Sequence, residues 1–117
     1  MKFKHLVMVA LVAIATISAA GTALADGARL FVRHEVADYT AWRKSFDAFA
    51  PTQKKLEALT SSVYQSADDP NDVTVVHDFA SVEKAKAFAA SAELKAAMQK
   101  AGVKGTPQVW ITTKSTK

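Results

Sequence analysis

RHEVADYTAW (residues 33–42) and VHDFASVEKA (residues 76–85) carry the same pattern twice. His34-Glu35-Val36-Ala37-Asp38 matches His77-Asp78-Phe79-Ala80-Ser81 position by position: an imidazole, an acid, an apolar residue, Ala, then Asp or Ser. Each copy closes an apolar, β-branched run, Leu30 to Val36 in the first and Val73 to Phe79 in the second, as strands do. Each also opens a helical pattern, because Asp38 and Ser81 are residues whose side-chain oxygen can accept the orphan amides of a first turn. After Asp38, the residues Tyr39, Trp42, Phe46 and Phe49 recur at three- and four-residue spacing. After Ser81, the residues Val82, Ala85, Phe88 and Ala89 do the same. The repeat marks one strand-to-helix joint used in both halves of the chain.

Working outward, Pro51 cannot donate a helical hydrogen bond, so the first helix stops, kinks or restarts there. TQKKLEALT (52–60) resumes helical character with Leu56 and Leu59 on one side. Ser62 to Ser66 reads as a short strand, and ADDPND (67–72) as a turn. Ser91 caps a further segment carrying Leu94, Ala97, Met98 and Ala101, and Gly102 ends it. KGTP (104–107) is expected as a loop before a last strand, Gln108 to Thr112. The order is βαββαβ, two similar halves. This is the ferredoxin-like plan, an α+β fold on an antiparallel sheet. Its first and third strands are expected as central neighbours running parallel. That would bring His34 and His77 to the same ends of adjacent strands.

The chain opens with a basic pair, Lys2 and Lys4, an apolar run from Leu6 to Ile17, and a small-x-small site at Ala23-Leu24-Ala25. These are the parts of a cleavable signal peptide. The run is too short for the roughly 20 apolar residues of a membrane span. The reading is a leader at 1–25, a predicted cut after Ala25, and one domain at 26–117 that is periplasmic or secreted and free of the membrane after cleavage. No Cys stands at the cut, which rules out lipoprotein anchoring. Removing the leader takes Lys2 and Lys4 out of the 15 basic residues and leaves 13 against 11 acidic, or +2 in place of +4. No basic run interleaved with aromatics remains, so nucleic acid is not an expected partner. The chain contains no cysteine, which excludes disulfides, thiolate catalysis and iron–sulfur ligation. No phosphate-binding glycine loop or nucleophile elbow is present.

Strand alternation sets His34 beside Val32 and Val36, and His77 beside Val75 and Phe79. Both imidazoles therefore lie on apolar faces. Either each is a buried neutral group that shapes a strand end, or both edge a pocket as acid–base or ligand-binding groups. They are the catalytic candidates, and with Tyr39 and Trp42 the ligand-binding candidates. Two histidines without a third ligand at defined spacing are a weak metal signal, so no metal site is expected. The opposite face carries Phe31, Arg33, Tyr64, Asp78 and Trp110. A monomer rarely exposes such a patch, so these residues are candidates for a homodimer interface, with Arg33 paired to Asp78 or Glu35.

VRHEVADYTAW (32–42), DDPNDVTVVHDFASVEKAKAFA (68–89) and ELKAAMQKAGVKGTPQVWI (93–111) together resemble the dimeric α/β-barrel superfamily, in particular its small antibiotic-biosynthesis-monooxygenase-like domains. The resemblance spans about residues 29–112. It implies two ferredoxin-like protomers that pair their sheets into a barrel, each with a cavity between sheet and helices. The superfamily includes cofactor-free monooxygenases, haem-degrading enzymes, isomerases and proteins without known activity. The haem-degrading branch would want a Trp at the end of the third strand and a His on the next helix. Here the strand ends in Phe79, and residues 81–101 contain no His. The reading that emerges is a secreted homodimer binding a small apolar or aromatic molecule, with no cofactor. A cofactor-independent monooxygenase or isomerase using His34 and His77 is the first alternative, and a non-catalytic interaction or stress protein the second.

Overall fold

β1 (Ala28–Val36) alternates strictly. Ala28, Leu30, Val32, His34 and Val36 are buried, and the residues between them are not. This is the signature of a strand with one face against helices and one left open. The computed structural model describes residues 27–116, so the leader and its cut after Ala25 lie outside the described residues. β1 is followed by α1 (Tyr39–Ala48), α2 (Ala50–Lys55), β2 (Thr60–Gln65), β3 (Asp72–Phe79), α3 (Val82–Ala89), α4 (Ala92–Lys100) and β4 (Val103–Thr113).

The caps explain where the helices begin. Asp38 accepts from the Ala41 amide at 3.1 Å, Ser81 from Lys84 at 3.2 Å, and Ser91 from Leu94 at 3.2 Å. Pro51 sits in the first turn of α2, where its missing N–H is no loss. α2 is shorter than the TQKKLEALT pattern suggests. Its chain turns at Glu57, whose φ is +72°, and Leu59 lies outside the helix and 55% exposed. Gly102, with φ +84°, ends α4 in the left-handed conformation that glycine adopts readily. The Gly102 carbonyl accepts from the Ala37 amide at 3.0 Å, tying the end of α4 to the first joint.

The sheet order is β2-β3-β1-β4, and every pairing is antiparallel. This corrects the expectation that β1 and β3 run parallel. α1 and α2 carry the chain back so that β2 runs in the direction of β1, and the short β2–β3 turn then reverses β3. The register pairs Leu30 with His77 and His34 with Val73. The two histidines share a face but are offset by four positions, about 13 Å along the strand at roughly 3.3 Å per residue. The Val32–Val75 pair lies between them.

β4 also starts earlier than expected, taking in the KGTP segment. It tolerates Pro107 because it is an edge strand, where a ladder amide is dispensable. Arg33 pairs with Gln108 and Glu35 with Lys104, so Gly105, Thr106 and Pro107 bulge opposite the single residue His34. Bulges of this kind often re-aim a neighbouring side chain.

The helices cover one sheet face and bury two apolar clusters. One gathers Leu30, Val32, Phe79, Ala85, Phe88 and Leu94. The other gathers Val36, Trp42, Val73 and Val75.

Candidate ligand-binding cavity

A cavity of about 40 Å³ lies between the two clusters. Its floor is Val32, His34, Val75 and His77 from β1 and β3. One wall is Trp42, Ser45, Phe46, Phe49 and Gln53 from the α1–α2 arm, and the other is Leu94, Ala97, Met98 and Ala101 from α4 and its end. The periodicity of the sequence puts these residues there. Trp42, Phe46, Phe49 and Gln53 follow at four, three and four residues, one continuous helical face. The aromatic rings run on from the imidazoles. His34 meets Trp42 edge-on at 5.6 Å between centroids, Trp42 stacks on Phe46 at 5.0 Å, and His77 lies 4.8 Å from Phe88.

The structure treats the paired histidines differently. His77 is 2% exposed, and its Nδ1 lies 2.8 Å from Ser61 Oγ, which in turn lies 3.3 Å from Gln53 Oε1. His34 is 6% exposed, and its Nδ1 has no hydrogen-bond partner among the described residues. Burial disfavours the charged form of both. It pushes His77 down to about 4, against a weaker opposing pull from the Thr60 backbone and Asp78, and it lowers His34 as well. Both rings are therefore neutral at pH 7. The two residues stand about 13 Å apart along the strand direction, which corrects the expectation that they sit at the same strand ends, yet both line the one cavity.

Trp42 lines the cavity, and Tyr39 does not. The Tyr39 ring packs on Trp42 at 5.8 Å, its amide donates to Asn71 Oδ1 at 2.9 Å, and its hydroxyl lies 3.5 Å from Arg43. Gln53 and Ser61 are absent from the sequence candidates. The signal for Gln53 was its spacing from Phe49 and Leu56. That face invites a large apolar residue, and the polar TQKK context hides it. Ser61 had no local signal, since it meets His77 only through the β2–β3 register.

On the open face, Phe31 stacks on Trp110 with centroids 5.1 Å apart, while Tyr64 and Trp110 are 59% and 42% exposed. Arg33 pairs with Asp72 at 2.7 Å, and Asp78 is taken by Arg29 at 2.8 Å and by the Thr60 hydroxyl at 2.7 Å. The expected Arg33 pairing with Asp78 or Glu35 is thus replaced by two register-matched pairs. Arg29 stands directly across from Asp78, and Arg33 lies diagonal to Asp72. Hydrogen bonding to these arginines holds both aspartates below the ordinary carboxylate range. Glu35 is pushed up, first by a shared hydrogen bond with Asp69. Among the described residues, no group of three or more His, Cys, Asp or Glu is placed to hold a metal, and no helix is long and apolar enough to cross a membrane.

A four-stranded antiparallel sheet with βαββαβ order and helices on one face is a ferredoxin-like fold, the fold also seen in solved structures of antibiotic-biosynthesis-monooxygenase-like proteins. Three solved structures illustrate the likeness. A proposed antibiotic biosynthesis monooxygenase from Bordetella bronchiseptica is 16% identical with TM-score 0.67, covering 77% of this chain and 98% of that one. A conserved protein from Methanosarcina mazei Go1 is 13% identical with TM-score 0.65, covering 80% and 98%. SnoaB, a cofactor-independent oxygenase from Streptomyces nogalater, is 12% identical with TM-score 0.64, covering 80% and 97%. No protein-family model matches the chain, and no curated protein matches it in sequence. At these identities the shared property is the fold.

Proposed function

We propose that the protein is an exported homodimer that binds a small apolar or aromatic molecule in the His34–His77 cavity. One observation carries the reading. The buried polar residues among those described are His34, Gln53 and His77, and all three line this single cavity. Burying such groups in an apolar core is unfavourable unless they are partnered, and a few convergent polar groups in an aromatic-lined hollow are the usual make-up of a small-molecule site. The His34 ring, whose Nδ1 finds no side-chain partner, is the polar group of the cavity that a ligand would approach.

Two supports come from outside the cavity. The N-terminal leader pattern supports export. The stacked Phe31–Trp110 pair beside the exposed Tyr64 supports dimerisation through the open face, since this surface would otherwise meet water.

The rival enzymatic reading is cofactor-independent oxygenation or isomerisation with His34 and His77 as acid–base groups. The name of SnoaB favours it. The protonation states weigh against it, because a general base works best with a pKa near the working pH, and burial holds His77 near 4. The non-catalytic interaction or stress role predicts a filled core in place of the hollow.

The test uses Trp42 as reporter. The chain has two tryptophans, so Trp110→Phe leaves only the one in the cavity. 1-Naphthol titrated into this variant is expected to quench Trp42 saturably. Adding His34→Phe, which keeps a ring of similar bulk and removes Nδ1, is expected to weaken binding about tenfold, the value of one good hydrogen bond. No saturable change, or equal affinity in the His34→Phe variant, rules the site out. Accumulation of an oxygenated naphthol in air that is lost with His34→Phe selects the oxygenase.

A further inference from the structure

The cavity has a polar floor and an apolar mouth. His34, Gln53 and His77 are buried, whereas Ser45, Phe46 and Phe49 on one wall and Ala97, Met98 and Ala101 on the other are only partly buried. The hollow therefore opens between α1 and α4, and Ser45 puts a single hydroxyl among the apolar side chains there. At about 40 Å³ the hollow has room for about three waters at ~10–15 Å³ each. That space takes a small polar group and not a ring system. A ligand fits it head first, with its apolar body lodged in the mouth against Phe46, Phe49 and Met98.

The charges of the site are more restrictive than its size. None of the lining residues is Asp, Glu, Lys or Arg. His34 and His77 are the lining groups that can take up a proton, and burial keeps both neutral. Arg43 lies over the Phe46 ring at 5.5 Å, but it does not line the cavity and its guanidinium is paired with Asp47 at 3.0 Å. A carboxylate or an ammonium group inside would give up water and meet no counter-charge, which is strongly unfavourable. A hydroxyl is better matched. A neutral imidazole offers one donor and one acceptor, and a hydroxyl can answer either.

We propose that the site selects uncharged ligands with a hydroxyl or carbonyl head on an apolar body, and that it excludes acids and amines of the same shape. The head lies on the buried polar floor and the body in the mouth between α1 and α4. The inference rests on the binding reading above and narrows its ligand to alcohols, phenols and ketones. The selection comes from the whole lining and not from one residue, since a single Asp, Lys or Arg among the lining residues would supply the missing counter-charge.

A set of naphthalenes of similar shape tests this at pH 7 in the Trp110→Phe chain, where Trp42 alone reports. The probes are 1-naphthol, naphthalene, 1-naphthoate and 1-naphthylmethylammonium. 1-Naphthol is expected to bind about tenfold tighter than naphthalene, the value of one good hydrogen bond. The carboxylate and the ammonium are expected to bind about a hundredfold more weakly than 1-naphthol, or not at all. Either ion binding within about threefold of 1-naphthol overturns the exclusion of charge. Naphthalene binding as tightly as 1-naphthol overturns the head-first placement. Calorimetry on the parent chain, expected to give the same order, carries the comparison if Trp110→Phe does not fold. If none of the probes saturates, the binding reading fails and the selection with it. If all of them bind alike, the binding reading stands and the selection fails.

Discussion

Neutralising the titration of His77 should remove most of the pH sensitivity of the fold on the mildly acidic side. Burial lowers this imidazole from 6.5 to about 4. Each unit is about 1.4 kcal/mol, so the full difference is about 3 kcal/mol. The sign follows from where the proton binds more tightly. The unfolded chain protonates His77 near 6.5 and the folded chain only near 4, so acid favours the unfolded state. The stability that the neutral ring permits is complete above pH 6.5 and drains away as the pH falls toward 4. Between pH 8 and pH 5 the loss is about 2 kcal/mol, a large part of the roughly 5–15 kcal/mol that holds a domain together. His34 is lowered for the same reason and adds to the loss in the same direction. The low carboxyls of Asp72 and Asp78 begin to contribute only nearer their own range. His77→Gln keeps a side chain able to bond Ser61 and does not titrate. Urea unfolding followed by circular dichroism at fixed protein concentration, in steps from pH 8 to 4.5, should show the parent losing stability well before the variant does. Equal losses in the two proteins across pH 8 to 5 would refute the burial argument, and with it the assignment of His77 as a neutral core group.

Two further outcomes are expected. Ser81→Ala removes the oxygen that accepts from the Lys84 amide at 3.2 Å and should destabilise the protein by about 1 kcal/mol in urea unfolding, with no effect on naphthol binding. Trp110→Asp sets a charge against the Phe31 stack on the open face. If the open face pairs protomers as proposed, sedimentation should show the parent as a dimer and this variant as a monomer at the same concentration, and a dimer that persists in the variant would move the interface elsewhere.

Much of the fold was legible because it rests on local chemistry. Asp38, Ser81 and Ser91 announce their helices by the capping oxygen they carry, and the alternation in β1 and β3 separates the buried face from the open one. What failed was non-local or conformational. Strand direction in the centre of the sheet depends on where the connections lead, and no residue in His34–Asp38 or His77–Ser81 encodes it. Lys104 to Pro107 looks like a loop, since it reads as Gly and Pro, and an edge strand can hold both. The site was half legible for the same reason. His34, His77 and Trp42 sit on visible faces. Gln53 was masked by its lysine neighbours, and Ser61 reaches His77 only through pairing 16 residues apart. The repeat predicts equivalence of the two histidines, and the structure denies it, because Ser61 stands beside one and a bulge beside the other.

That bulge has a consequence for solubility. β4 is 11 residues long and lies at the edge of the sheet, a length on which a foreign strand could zip up. Gly105, Thr106 and Pro107 interrupt it. Pro107 offers no amide, and the backbone on either side is out of phase, so an incoming chain that registers with Gln108–Thr113 cannot continue to Val103 without a matching bulge of its own. The irregularity opposite His34 therefore protects the outer rim of the sheet from aggregation by strand addition.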